Sequence, residues 1–178
     1  PYHFSGEFKG RVTVQGLDTR KYDVGELSSL VGLSFQNPLD QIVCSSVTDE
    51  IAFGPENLGL PEEVIDERVK ESLEMARLVG YENTNPLSLS GGQQQSCCIS
   101  AIIAMHPKIL VLDEPTANLD SVGTRLVHLM IDKLVRSEKI TLVIVSHQLR
   151  ELATMVDRMV VLRNGEMMLE GEPREVLK

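Results

Sequence analysis

The stretch ILVLDEPTANLD, residues 109–120, decides the fold. With Lys108 it opens as KILVLD, a continuous apolar run of strand length, the mark of a central strand in a parallel sheet. The run ends on Asp113 and Glu114. Successive side chains of a strand point to opposite faces, so two adjacent acids at its end can do different work. The C-terminal edge of an open α/β sheet is also where such folds bind ligands. One carboxylate suits the hard-oxygen shell of Mg²⁺, and the other suits polarising an attacking water. Taken alone, the pair fits a solvated acidic turn as well.

Working outward, KITLVIVSH (139–147) reads as a second buried strand, ending on Ser146 and His147. VGLSFQ (31–36) reads as a third, ending on Gln36, and Asn37-Pro38 then breaks the chain. RVTVQG (11–16) alternates between glycines and reads as one short strand. GELSSL is a helical turn or two. Residues 47–58 read as a short helix starting near Thr48 or Asp49 and stopped by Gly59. The clearest helix is 61–80, with Pro61 and two glutamates in its first turn and Gly80 past its end. Ile65, Val69, Leu73 and Ala76 form its apolar stripe. Ser90 can cap a helix from Gly91 to about Met105, and 121–136 is a further helix. QLRELATM is a short helix. RMVVLRNGEMMLEG (158–171) is a hairpin whose Asn164-Gly165 signals a type I′ turn. PREVLK is a last helical turn. Strands alternating with helices define an α/β fold with a mostly parallel sheet. The nearly all-helical piece 37–105 reads as a helical subdomain inserted into an α/β core formed by 1–36 and 106–178. The whole is one domain over 1–178.

Bulk properties exclude several classes. The chain has 178 residues, 4% aromatic, with no tryptophan and a formal charge of -9. A base-stacking surface and a phosphate-backbone reader both fit poorly with that, so nucleic acid is not an expected partner. No run of about 18 apolar residues exists to span a membrane, and no signal peptide is visible. Cys44, Cys97 and Cys98 lack any CxxC spacing, so three reduced thiols in a cytosolic protein are expected rather than a disulfide framework or a zinc site.

The second motif is LSLSGGQQQ, residues 87–95. Ser90 at a helix start, followed by Gly91, Gly92 and Gln93, exposes unpaired N–H groups at the positive end of a helix dipole. Glycine there lets a phosphate approach the backbone closely. An ordinary capped helix remains the alternative. His147 and Gln36, each ending a strand, are weaker signals singly.

In their order along the chain, Gln36, Ser90-Gly91-Gly92-Gln93, Asp113-Glu114, Asn118-Leu119-Asp120 and His147 resemble the nucleotide-binding domain of ATP-binding cassette (ABC) proteins. The resemblance covers essentially the whole chain. It implies a P-loop NTPase-like ABC ATPase core, with ATP and Mg²⁺ as ligands. Gln36 would be the Q-loop glutamine near metal and water, and LSGGQ the signature motif. Asp113 would end the Walker B strand and hold the Mg²⁺ shell. Glu114 would be the catalytic glutamate, Asp120 part of the D-loop and His147 the switch histidine that contacts the γ-phosphate. FQNPLDQ followed by VTDEIAFGPENLGLP is similar, more narrowly, to the ATPase subunits of energy-coupling factor (ECF) and cobalt-type importers, which take up vitamins or transition-metal ions. That likeness implies a second ABC ATPase subunit in a head-to-tail dimer and a membrane coupling protein facing the region after Gln36. The ATPase would then be cytoplasmic and peripheral on the inner face of the membrane.

Two departures matter. The family's phosphate-binding loop, GxxxxGKS or GxxxxGKT, does not occur in the 178 residues. In the family it lies upstream of the position matching Pro1, as does the aromatic residue that stacks on adenine, so an N-terminal piece is expected to precede this sequence. The chain alone is therefore expected to bind ATP weakly and to hydrolyse almost none, although its signature could complete a site on an intact partner. Ser96 also stands where the family carries arginine. The alternatives are an ATPase of another ABC importer and a catalytically silent structural or regulatory subunit. An ABC-like chromosome protein would need a long coiled coil between Gln36 and Ser90, and only 53 residues lie between them.

Overall fold

The computed structural model describes residues 8–137, 140–148 and 153–178. Its centre is a three-stranded parallel sheet. β3 (Val31–Ser34) pairs with β4 (Ile109–Asp113), and β4 pairs on its other side with β5 (Thr141–Val145). Leu33, Val111 and Val143 lie in register across the sheet, as do Ser34, Leu112 and Ile144. KILVLD is thus the central strand that its apolar run predicts.

Before the sheet, β1 (Thr13–Val14) and β2 (Leu17–Asp18) form a two-residue-per-strand antiparallel hairpin. The single strand expected over 11–16 is corrected by its turn. Gln15 and Gly16 both take positive φ, 50° and 83°, the conformation of a type I′ reversal. A helical turn α1 (Val24–Ser28) follows, with a reciprocal capping box between Asp23 and Glu26.

Between β3 and β4 the chain forms α2 (Val47–Asn57), α3 (Glu62–Ala76) and α4 (Gly91–Ile103). Ser46 caps α2 by accepting from the Asp49 N–H. α3 buries Val69, Leu73 and Ala76, as the stripe predicts. It ends earlier than Gly80, because Arg77 adopts φ 58° and its N–H bonds back to the Leu73 and Glu74 carbonyls. α4 stops at Ile103 rather than Met105, where the Arg68 guanidinium donates to the Ala104 carbonyl at 3.0 Å. A cation there matches the negative end of the helix.

α4 is the spine of the molecule. It buries residues on every side, including Gln95, Ser96, Cys97, Cys98, Ile99 and Ile102, as a helix enclosed by other elements does. On the sheet side it comes so close to β3 that a Cβ on Gly32 would lie 2.0 Å from Ile102 Cγ2. α5 (Ser121–Ser137) follows β4 and buries Val127, Met130, Ile131 and Leu134, the spacing of one helical face. These side chains join Ile51, Leu73, Ile99, Leu110 and Leu112 in one continuous core. All three cysteines are free, and burial pushes the Cys97 thiol up to about 12.

The C-terminal hairpin, β6 (Met159–Arg163) and β7 (Glu166–Gly171), turns at Asn164 and Gly165 with φ 52° and 80°, as the sequence predicts. A last helical turn runs over Pro173–Val176. The short helix expected over 148–155 falls largely on 149–152, outside the described residues.

A buried hydrogen bond ties α4 to β3. Gln95 Nε2 donates to Ser34 Oγ at 3.2 Å, with both residues almost fully enclosed. Gln95→Leu leaves the Ser34 hydroxyl unpaired and is expected to cost about 1–3 kcal/mol, whereas the double replacement with Ser34→Ala should recover most of it. Urea unfolding of the three proteins measures this. A single and a double variant of equal stability would refute it.

Candidate active site

Parallel pairing brings the ends of all three central strands to one edge. β4 ends there in Asp113, in register with Val145 of β5. Gln36 lies two residues past Ser34, the partner of Leu112. His147 lies two residues past Val145. The edge is extended by one further ladder bond, from the Glu114 N–H to the Val145 carbonyl at 2.9 Å.

Glu114 turns the chain sharply. Its φ of 47° is left-handed, an uncommon conformation for a side chain of this size. The turn brings its carboxylate back against the β5 loop. Glu114 Oε1 accepts the backbone N–H of His147 at 3.1 Å and lies 2.8 Å from His147 Nδ1. A carboxylate at that distance places a proton on Nδ1 and leaves Nε2 facing outward on a largely exposed ring. Glu114 Oε2 is buried and has no partner among the described residues. Oε2 is thus an unpaired acceptor enclosed just behind this edge. Asp113, exposed beside it, and the exposed Gln36 amide are hard oxygen donors. No cluster of three or more His, Cys, Asp or Glu residues suited to a metal occurs among the described residues. One exposed carboxylate and one exposed amide oxygen are the donor types that a hydrated Mg²⁺, which keeps several of its waters, would accept.

The second group of expected residues gathers at the start of α4. Ser90 is the N-cap, and its hydroxyl and backbone N–H both reach the Gln93 side chain at 3.1 Å in a capping box. Ser90 and Gly91 are exposed, whereas Gly92 is buried. Asp120 is occupied in the fold: its Oδ1 accepts the Gly123 N–H at 2.7 Å, capping α5. Ser96 is buried and donates to the Gly92 carbonyl at 2.8 Å, so this position is satisfied within its own helix. The structure thus brings Asp113, Glu114 and His147 together at the sheet edge. It gathers Ser90–Gln93 with Leu119–Asp120 at the start of α4. The Glu114–Asp120 segment links the two groups.

Sequence reasoning missed Gln95, which holds the end of β3 just before Gln36. In the run QQQ it reads as one more polar residue, and only its place on the buried side of α4 separates it from Gln93 and Gln94.

A parallel sheet with an acid pair at the end of its central strand, packed against the capped helix α4, is an ABC ATPase-like α/β fold. The comparisons agree. The ABC transporter family model matches residues 3–117, and the chain belongs to that family. An ABC transporter ATP-binding protein of Pyrococcus abyssi is 42% identical over the whole chain. The energy-coupling factor transporter ATP-binding protein EcfA1 of Caldanaerobacter subterraneus is 43% identical over 96% of it. The solved structure of CbiO1 from Clostridium perfringens, part of the ABC transporter complex CbiONQ, covers 95% of the chain with a TM-score of 0.86 and 29% identity. The chain spans 64% and 61% of the two relatives and 68% of the CbiO1 chain.

Proposed function

We propose that this chain is the larger part of an ATP-hydrolysing subunit of an ECF-type importer, which energises uptake of a vitamin or a transition-metal ion. The observation that carries the proposal is the Glu114–His147 pair at the sheet edge, with one Glu114 oxygen anchored and the other unpaired. In this reading the Glu114 carboxylate accepts a proton from the attacking water, a general-base role. His147, anchored through Nδ1, presents Nε2 to the γ-phosphate and donates to it when the ring is protonated. Asp113 and Gln36 hold the Mg²⁺ shell, and the ion when bound neutralises phosphate charge. The N–H groups at the start of α4, with Ser90, grip the γ-phosphate bound by a second ATPase subunit paired head to tail.

The partner surface follows from exposure. Phe35 just before Gln36, Leu39 and Val43 after it, and Phe53 in α2 are 47%, 54%, 67% and 48% exposed. Exposed apolar side chains in this stretch suit a membrane coupling protein, and Phe35 is the neighbour in sequence of the glutamine that would sense nucleotide. The subunit would then work at the cytoplasmic membrane face. Among the described residues no helix is long and apolar enough to cross a membrane. The helical segment 37–105 would be the part that moves with the coupling protein.

The test compares two proteins. The purified 178-residue chain is expected to turn over no ATP above background, since its sequence carries no GxxxxGKS or GxxxxGKT loop to cradle the β- and γ-phosphates. The same residues preceded by a phosphate-loop strand and helix, GxxxxGKS or GxxxxGKT, are expected to hydrolyse ATP and, with the coupling protein in vesicles, to drive uptake. An inactive extended protein, or an active short one free of contaminating ATPase, would overturn the proposal.

A further inference from the structure

We infer that Gly123, in the first turn of α5, is a positioning residue that sets the signature motif against the D-loop. The inference rests on the reading of Ser90–Gln93 as the motif that serves the partner's nucleotide. Gly92 and Gly123 meet backbone to backbone. A Cβ on Gly92 would lie 2.5 Å from Gly123 Cα, and a Cβ on Gly123 would lie 3.1 Å from Gly92 Cα. Such approaches involve main chain, which cannot swing aside as a flexible side chain can. Gly123 is also not in the left-handed region, so its backbone would accept alanine. What it meets instead is crowding, which Gly92, Leu119 and Asp120 must relieve by a few tenths of an ångström.

The same contact is closed from the other side by the D-loop. A Cβ on Gly123 would lie 3.1 Å from Asp120 Oδ1 and 3.3 Å from Leu119 Cβ, and one on Gly91 would lie 3.4 Å from Leu119 Cδ2. Asp120 grips the Gly123 N–H at 2.7 Å. The helix start that offers N–H groups to a phosphate and the loop leading back to Glu114 are therefore one packed unit, with Gly123 as its joint. A methyl group at Gly123 acts as a wedge. It moves the Ser90–Gly92 start away from Leu119–Asp120 and leaves the sheet edge with Glu114 and His147 in place. Because positioning over fractions of an ångström governs phosphoryl transfer, the wedge should show in turnover rather than in binding.

The test uses the full-length ATPase that contains this chain and its phosphate loop. Gly123→Ala is expected to lower kcat at least tenfold, with the affinity of the isolated subunit for a fluorescent ATP analogue within twofold of wild type and its thermal midpoint retained. Leu119→Ala, which cannot clash, loosens the same joint and is expected to lower kcat with binding retained, so it reads the joint even where Gly123→Ala fails to fold. Wild-type kcat in either folded variant, or a fall in kcat matched by an equal loss of nucleotide affinity, overturns the inference. Absence of ATP turnover in the wild-type full-length protein instead overturns the functional reading beneath it.

Discussion

Glu114→Gln in the full-length ATPase is expected to lower kcat by about 10²–10⁴-fold, the range ascribed to a positioned general base. The substitution is nearly isosteric. The amide oxygen can still accept from the His147 N–H and from Nδ1, the two contacts that orient the present side chain. The left-handed turn at residue 114 and the ladder bond to Val145 belong to the backbone and remain. What is lost is the second carboxylate oxygen, the buried one without a partner. Nucleotide affinity should hold or rise, since a negative charge near the phosphates disappears. Steady-state turnover beside a binding titration separates the two effects. A Gln variant that keeps more than a tenth of wild-type turnover would remove Glu114 from the chemistry.

The largest expected stability effect lies one step below the acids. Leu112→Ala should destabilise the protein by about 2–5 kcal/mol, because it removes a fully enclosed side chain from a core that cannot collapse around the gap. Leu112 sits in the central strand between Ser34 and Ile144, so neighbouring strands hold its surroundings on both sides. Val143→Ala is the control. That residue sits one strand over with its side chain on the other face and is 44% exposed, so its truncation should cost well under half as much. Urea midpoints at fixed protein concentration give the comparison, and equal losses at the two positions would contradict the assigned faces of the sheet.

The face that carries Val143 explains a limit on what local patterns reveal. Leu33, Val143 and Val145 are 47%, 44% and 51% exposed, although their runs read as strands covered on both sides. A continuous apolar run reports the environment for which the strand is built. It does not report which elements stand in front of it in these 178 residues.

The same distinction runs through the site. The order of Gln36, LSGGQ, Asp113-Glu114 and His147 could be read from run length and turn residues, but only Asp113 ends its strand; Gln36 and His147 lie two residues past theirs. Helix α5 and the 158–171 hairpin were equally legible, since a 3.6-residue stripe and an Asn-Gly turn are local signals. Local signals also misled. RVTVQG alternates like a strand, yet two left-handed residues fold it into a hairpin. Gly80 looks like the stop for α3, yet Arg77 ends it.

The chain's own order of residues sufficed for the family, the α/β architecture and the identity of the charged groups, because each depends on periodicity or on which atoms a side chain carries. Three contacts came only with folding: the Glu114 carboxylate against His147, Gln95 against Ser34, and the main chain of Gly92 against that of Gly123. Each joins residues 31 or more positions apart. No periodicity within one element encodes such a pairing. The Glu114–His147 contact emerges when β4 pairs with β5, and the other two when α4 packs against β3 and α5 at once, where the space left selects glycine at one crossing and a hydrogen-bonded pair at the other.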